Sequence, residues 1–341
     1  MIHVALLAAQ SAASDNVSIF DPVSPPAQSI RDLAVLVLAI IGAIFVLVES
    51  ILFYAVIRFR RGRATTTGEP PQVYGSTPIE VAWTAAPALV VFVLTLVIAR
   101  TLMEVNSDLD KPPPDAKPLR VSVIGHQWWW EYAYERDGDR DLAFIAANEL
   151  HVPASDPNLP TDRRPTFLTL QSADVCHSFW VPRLAGKTDL IPGRTNRMWF
   201  ETDKTGLFLG QCAEFCGVQH AKMLLRVNVD PPDEFARWAE NQMKPAADDP
   251  KVAEGKKAFL SHSCVNCHRV RGTSAAGTYA PDLTHLMSRE TLASGMIPNT
   301  RETLRQWVAD PQKVKPGCLM PAFGLSDREL DLVVDYLATL K

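Results

Sequence analysis

Two kinds of hydrophobic pattern divide the chain. Leu33–Val48 carries no charge, and beyond Glu49 the apolar character resumes through Ile57. Together these give about 25 residues, enough to cross a hydrocarbon layer of ~30 Å. A second uncharged stretch, Val81–Ala99, is 19 residues long and closes at Arg100. Neither shows the one-sided stripe of a helix on a soluble core, so both are predicted to span a membrane. Pro87 is tolerable there, because neighbouring groups near a membrane helix end can satisfy the freed backbone. Arg58, Arg60, Arg61 and Arg63 follow the first span and predict a cytoplasmic connection, which returns everything after about residue 103 to the outside. Glu49 inside a span implies a protein or water neighbour, as in a larger membrane complex. The first 14 residues, with apolar Val4–Ala9 followed by Ala12 and Ala13, read as a signal-peptide remnant that lacks a basic start.

Past residue 103 the apolar runs shorten. Lys111–Pro118 holds Pro112, Pro113, Pro114 and Pro118 and reads as a stiff linker. Leu119–Ile124, Thr166–Leu170, Met198–Glu201 and Leu224–Val229 are short β-type runs separated by turns, the spacing of a sandwich or barrel. Pro231, Pro232 and the 243–250 stretch bracket a helical pattern around Phe235–Asn241. Beyond it, Ala253–Ser261, Glu302–Ala309 and Asp327–Leu340 read as helices of a small all-α domain. The predicted organisation is an N-terminal segment (1–30), a two-helix transmembrane hairpin (31–103), a linker (104–118), an all-β domain (119–245) and an all-α domain (250–341).

Composition agrees with this division. Of 341 residues, 47% are hydrophobic and 21% charged, which excludes a disordered chain. Mean hydropathy of −0.01 fits a few spans joined to a large aqueous part. A net charge of −4 from well-mixed signs argues against a nucleic-acid partner. By region, residues 104–249 hold 16 basic and 23 acidic residues, net −7, whereas 250–341 hold 12 and nine, net +3. The two exported domains are thus predicted to attract one another.

The six cysteines, at 176, 212, 216, 264, 267 and 318, carry most of the chemistry. Cys264-Val265-Asn266-Cys267-His268 has the C-x-x-C-H spacing of covalent haem c attachment, two thioethers plus a proximal imidazole. A bare C-x-x-C can also be a redox disulfide or half a zinc site. The adjacent His, the exported location and the helical surroundings favour haem. A sixth ligand is drawn from Met287, Met296 and Met320, with Met320 favoured because Gly317-Cys318-Leu319-Met320-Pro321, a loop before the last helix, resembles the Met-Pro loop of small class I cytochromes c. A second group comprises Cys212, Glu214, Cys216, His220 and Met223 within 12 residues, with His177 upstream. Thiolate, imidazole and thioether together select copper or zinc. Two thiolates can bridge two copper ions, each completed by one His and one weak axial ligand, Met223 or the Glu214 carbonyl. A zinc site would use Cys212, Cys216, His220 and His177 and leave Met223 idle.

With these motifs in place, nearly the whole chain resembles subunit II of a haem–copper cytochrome c oxidase with a fused C-terminal cytochrome c domain, as in caa-type enzymes. The resemblance implies a cupredoxin fold with a dinuclear copper A centre for the β domain and a class I cytochrome c fold for the α domain. It implies that Trp128, in Gly125-His126-Gln127-Trp128-Trp129-Trp130-Glu131-Tyr132, is where electrons enter the copper pair, leaving Trp129 and Trp130 as strand packing. It further implies a magnesium ion on the Glu214 side chain at the subunit I interface, and a proton-channel mouth at Glu80. Partners would be subunits I and III, the lipid membrane, and cytochrome c or an upstream respiratory complex as donor. Oxygen would be reduced in subunit I, coupled to proton translocation, with the exported domains on the periplasmic side of a bacterial inner membrane. The alternatives are a membrane-anchored haem c/copper carrier serving another reductase and a copper-delivery protein. Cys176 and Cys318 lie outside the pattern and are expected to be unpaired, partly buried thiols.

Overall fold

The computed structural model describes residues 17–60, 72, 74–106, 116–136, 139–159 and 162–341. The signal remnant, Arg61 and Arg63 of the basic cluster, and Pro112–Pro114 of the linker lie outside these residues. The chain forms two units, 28–107 and the remainder.

The first unit consists of two long helices, α1 (Pro25–Arg58) and α2 (Thr77–Asn106). Side chains on every face of both helices, such as Phe45, Phe53, Leu89 and Leu96, are exposed. A helix that is apolar all round and unburied needs lipid or other protein around it. Ser50, Thr84 and Thr95 return their hydroxyls to the carbonyls of Val46, Glu80 and Val91, so they leave no unmet donor in the apolar stretch. Pro87 lies within α2 without ending it. Glu80 sits in the first turn of α2, where its carboxylate accepts from the Ser76 amide at 3.3 Å. That contact is the helix-start role open to any Glu there.

In the second unit, ten strands build two five-stranded sheets: β1 (Leu119–His126), β2 (Trp129–Arg136), β3 (Asp139–Ala147), β4 (Glu149–Pro153), β5 (Thr166–Ser172), β6 (His177–Trp180), β7 (Thr188–Leu190), β8 (Asn196–Phe200), β9 (Gly206–Cys212) and β10 (Leu224–Asp230). The sheet orders are β3-β2-β1-β5-β8 and β4-β10-β9-β6-β7. Alternation along β1 and β10 turns Val121, Val123, Leu225 and Val227 into the core, where they join Trp130, Tyr132 and Phe179. Helix α3 (Pro232–Met243) closes this core with Phe235 and Trp238, the latter stacked on His151 at 4.3 Å.

The C-terminal module has helices α4 (Ala253–Ser261), α5 (Cys264–Cys267), α6 (Arg301–Ala309), α7 (Pro311–Val314) and α8 (Asp327–Leu337). Phe259, Leu304, Leu330, Val333 and Val334 form its separate core. Ser326 and Glu329 cap the start of α8 reciprocally. Gly255 lets α4 approach α8, since a Cβ there would lie 2.1 Å from the Leu332 carbonyl oxygen. Two details depart from the sequence reading. Helix α8 ends at Leu337, three residues early, although Leu340 still packs in the core. A two-stranded hairpin, β11 (Thr291–Leu292) and β12 (Ile297–Pro298), interrupts the all-helical pattern. Ala293, Ser294 and Gly295 turn it with φ of 56°, 65° and 86°, values no helix continues through.

Candidate metal centre and haem cleft

The metal-binding side chains gather at one end of the sandwich. Strand β6 presents His177, β9 ends in Cys212, and the loop from Cys212 to Leu224 carries the rest. The Cys212 and Cys216 sulfurs lie 3.8 Å apart. His177 Nδ1 lies 4.0 Å from Cys212 Sγ, and the Glu214 carbonyl oxygen 3.2 Å from the same sulfur. On the other side His220 Nδ1 is 3.6 Å and Met223 Sδ 3.9 Å from Cys216 Sγ. Two sulfurs at the centre, with one imidazole and one weak donor on each flank, fit soft metal. A sulfur separation of 3.8 Å excludes a disulfide. Met223 is fully buried and directed at the sulfurs, a donor that zinc would not use.

Asp174 and Gly125, not singled out in the sequence, hold His177. Asp174 Oδ1 lies 2.8 Å from His177 Nε2 and accepts from the Val175 amide, while Oδ2 accepts from the Gln127 amide. This leaves Nδ1 free to face the sulfurs. Burial alone would lower the His177 pKa, but Asp174 and Cys212 more than offset it, and the net shift is upward. The hydrogen bond between the two cysteines pushes the Cys212 thiol down and the Cys216 thiol up. Gly125 lets the ring lie close, because a Cβ there would sit 2.8 Å from the imidazole. An acid three residues before a ligand His was a usable sequence signal for Asp174. Gly125 gave none.

Cys264, Cys267, His268 and Met320 line one cleft of about 1320 Å³ of empty space, open solvent at its mouth included. Phe259, Leu283, Leu304, Trp307 and Val333 make its walls apolar, as a flat macrocycle requires. His268 Nδ1 lies 2.8 Å from the Pro281 carbonyl oxygen, which orients Nε2 into the cleft. Burial lowers the His268 pKa, keeping the imidazole neutral as a ligand must be. At Gly277 any Cβ would strike the Cys267–His268 backbone at 2.5 Å, so the loop can close over the motif only with glycine. Met320 is part of the lining, whereas Met287 packs with the module's core.

The two sites meet. Gln127, Trp128 and Trp129 also line the haem cleft. The Trp128 indole Nε1 donates to the Cys216 carbonyl at 2.9 Å, and Gln127 Nε2 donates to the same oxygen. Trp130 is wholly buried against His177 and Phe179, as strand packing predicts. Trp129 instead reaches the cleft and stacks on His126 at 4.1 Å. The modules are seamed by the buried Glu149 carboxylate, which accepts from the Glu290 and Thr291 amides and the Thr291 hydroxyl at 3.0, 2.9 and 2.6 Å. Arg226 pairs with Glu290. In this one pair the signs are the reverse of the regional charges. All six thiols are free; Cys318 is half-buried, but Cys176 is exposed, because its side chain alternates outward beside the inward His177. The Glu214 side chain is exposed, as are Phe215 and Val218.

Comparison with known proteins bears on the whole chain. The family "Cytochrome C oxidase subunit II, periplasmic domain" matches residues 119–229, its transmembrane domain matches 12–99, and "Cytochrome c" matches 252–341. Cytochrome c oxidase subunit 2 of Alkalihalophilus pseudofirmus is 34% identical over 332 residues, covering 96% of this chain and 92% of that protein. The Bacillus subtilis protein of the same name is 31% identical over 340 residues, with 95% and 92% covered. Among solved structures, the periplasmic domain of cytochrome oxidase subunit II from Bradyrhizobium japonicum is 34% identical, with a TM-score of 0.32 over 36% of this chain and 92% of that one.

Proposed function

Because the chain belongs to the cytochrome c oxidase subunit II family and carries a cytochrome c domain after its copper domain, we propose that it relays electrons from haem c, past Trp128, to a pair of copper ions. It is the electron-input subunit of a haem–copper terminal oxidase. The observation that carries the relay is Trp128, whose ring borders the haem cleft while its Nε1 holds the carbonyl of the copper ligand Cys216. Bound haem and copper supply one-electron exchange without atom transfer.

The chain's own residues set that exchange up. Cys264 and Cys267 would hold the haem by thioethers, with His268 Nε2 and the Met320 sulfur as its further protein donors. Cys212 and Cys216 would hold the copper together with His177, His220, Met223 and the Glu214 carbonyl, and copper there would supply one-electron exchange. The sandwich fixes His177 and Cys212 on adjacent strands, which limits rearrangement as the charge changes. Exposed Tyr279, Leu319 and Phe323 near the cleft offer an apolar rim to a cytochrome c or upstream respiratory complex. The exposed Glu214 side chain faces outward as a magnesium ligand toward subunit I would, and Glu80 serves as the mouth of a proton channel. Subunit III completes the partners. The exported domains lie on the periplasmic side of a bacterial inner membrane.

Metal and haem analysis of the purified complex tests this reading. It should give two coppers and one haem c per chain, with an electron paramagnetic resonance signal shared equally over two coppers. One copper per chain with a single-ion spectrum ends the dinuclear assignment.

A further inference from the structure

Lys315 lies in the seam between the modules, 2% exposed and five residues before Met320. An ammonium has three donors, and here each meets a backbone carbonyl: Trp128 at 2.8 Å, Lys222 at 3.0 Å and Ala293 at 3.1 Å. The three belong to different segments. Trp128 lies in the aromatic turn between β1 and β2, Lys222 directly precedes Met223, and Ala293 turns the β11–β12 hairpin of the haem module. Beside them the Gln219 side chain donates to the Pro316 carbonyl, and Gly317 packs so closely on Val218 that a Cβ would come within 2.9 Å. A buried charge is a costly way to hold two surfaces together, and apolar side chains stabilise such a seam as well or better. What the ammonium adds is direction, because three bonds to one nitrogen fix three backbone points at once. Burial pushes its pKa down to about 7 against the pull of Cys318 and Cys216, with the Lys222 charge adding to the fall.

We propose that Lys315 is a positioning residue for haem-to-copper electron transfer, pinning the Trp128 turn, the loop before Met223 and the haem module to one point. The inference rests on the relay proposed above. In that step one electron leaves reduced haem and arrives at the oxidised copper pair, with no bond made and no proton moved. Lys315 is part of the haem-cleft lining, but its ammonium is turned to the three backbone carbonyls; through them it sets the gap between the two groups.

The test uses the assembled oxidase with Lys315→Met, Lys315→Arg and Trp128→Phe subunits. Two quantities are read: haem-to-copper transfer after flash reduction, and deuterium exchange at the Leu224, Glu290 and Thr291 amides, which bond across the seam. Lys315→Met should speed exchange at these amides and slow transfer by about tenfold or more, as small misplacements of reacting groups do. Haem and copper spectra should be unchanged, and Lys315→Arg should recover part of both effects. If the methionine variant loses haem, Lys315→Gln, which keeps two donors, is read in its place. Unaltered exchange overturns the proposal, and so does faster exchange with wild-type transfer. Trp128→Phe separates the two readings. Slow transfer in Trp128→Phe with wild-type transfer in Lys315→Met leaves the relay standing and removes Lys315 from it. Slow transfer in Lys315→Met alone keeps the pin and removes the indole route.

Discussion

The copper centre and the haem cleft solve opposite problems on adjoining surfaces. At the copper centre each donor stands within 4.0 Å of one of two sulfurs, and a wholly buried Met223 and His177 are already in place. Its scaffold is a continuous core of both sheets that contains Trp130, Tyr132 and Phe179. The haem module gathers its ligands around an open apolar cleft, bounded by Phe259, Leu304 and Val333 from its own core. One site is preformed by its fold. The other is a fold that needs its ligand as core.

Removing each ligand should therefore break the comparison open, and the haem side should suffer most. With Cys264 and Cys267 both changed to Ala, haem is lost and the cleft walls face water. Losses of several kcal/mol accompany even single buried side chains, so the 252–341 module should become protease-sensitive and exchange its amides freely. The 119–243 domain of the same chain should stay protected. A haem-free chain whose C-terminal module keeps wild-type protection would contradict the distinction.

Cys216→Ser acts on the other side. One thiolate cannot replace two bridges, so the shared-electron paramagnetic resonance signal should vanish. The sandwich itself should melt within a few degrees of wild type, because Cys216 lies in a loop and most of the core lies elsewhere. A surviving two-copper signal would refute the bridging role.

How much of this was legible in the sequence follows the same divide. The proposed copper ligands Cys212 to Met223 and the C-x-x-C-H motif Cys264 to His268 are local in the chain, so their spacing alone drew them out as candidates. The long apolar runs were equally readable. What stayed hidden depends on distant segments meeting. Asp174 matters because it also takes the Gln127 amide, Glu149 because the 290–291 amides reach it, and Lys315 because three turns converge on it. The β11–β12 hairpin escaped because residues other than glycine adopt positive φ there, which pattern does not signal. Regional charge named none of the groups at the seam, such as Glu149, Arg226 and Glu290.

Asp174→Asn should give a smaller loss that sharpens the contrast. An amide keeps the size but offers His177 Nε2 a weaker partner, and loss of such outer contacts typically costs 10–100-fold in metal affinity. Competition with a copper chelator should show that decrease, while haem c content and spectrum remain as in wild type. Equal affinity would mean that the strand alone orients the imidazole.

The smallest effect concerns His126, whose ring stacks on Trp129 with Nε2 buried and without a hydrogen bond. Burial lowers its pKa from 6.5 to about 4; Asp174 opposes that shift and His177 adds to it. Above pH 6.5 the ring is neutral in folded and unfolded chains alike, and it contributes no pH dependence. Between pH 6.5 and about 4 the unfolded chain binds a proton that the folded chain refuses, so stability falls as pH falls. The shift corresponds to about 3 kcal/mol at most, reached near the lower end of that window. His126→Gln removes the titration and should flatten this part of the profile. Denaturation of the copper-free chain, followed by tryptophan fluorescence, reads the right domain, because six of the eight tryptophans lie between residues 119 and 243. Parallel profiles for wild type and variant would show that the folded ring takes its proton as readily as a free one. A profile that differs only below pH 6.5 would place the acid sensitivity in the copper domain.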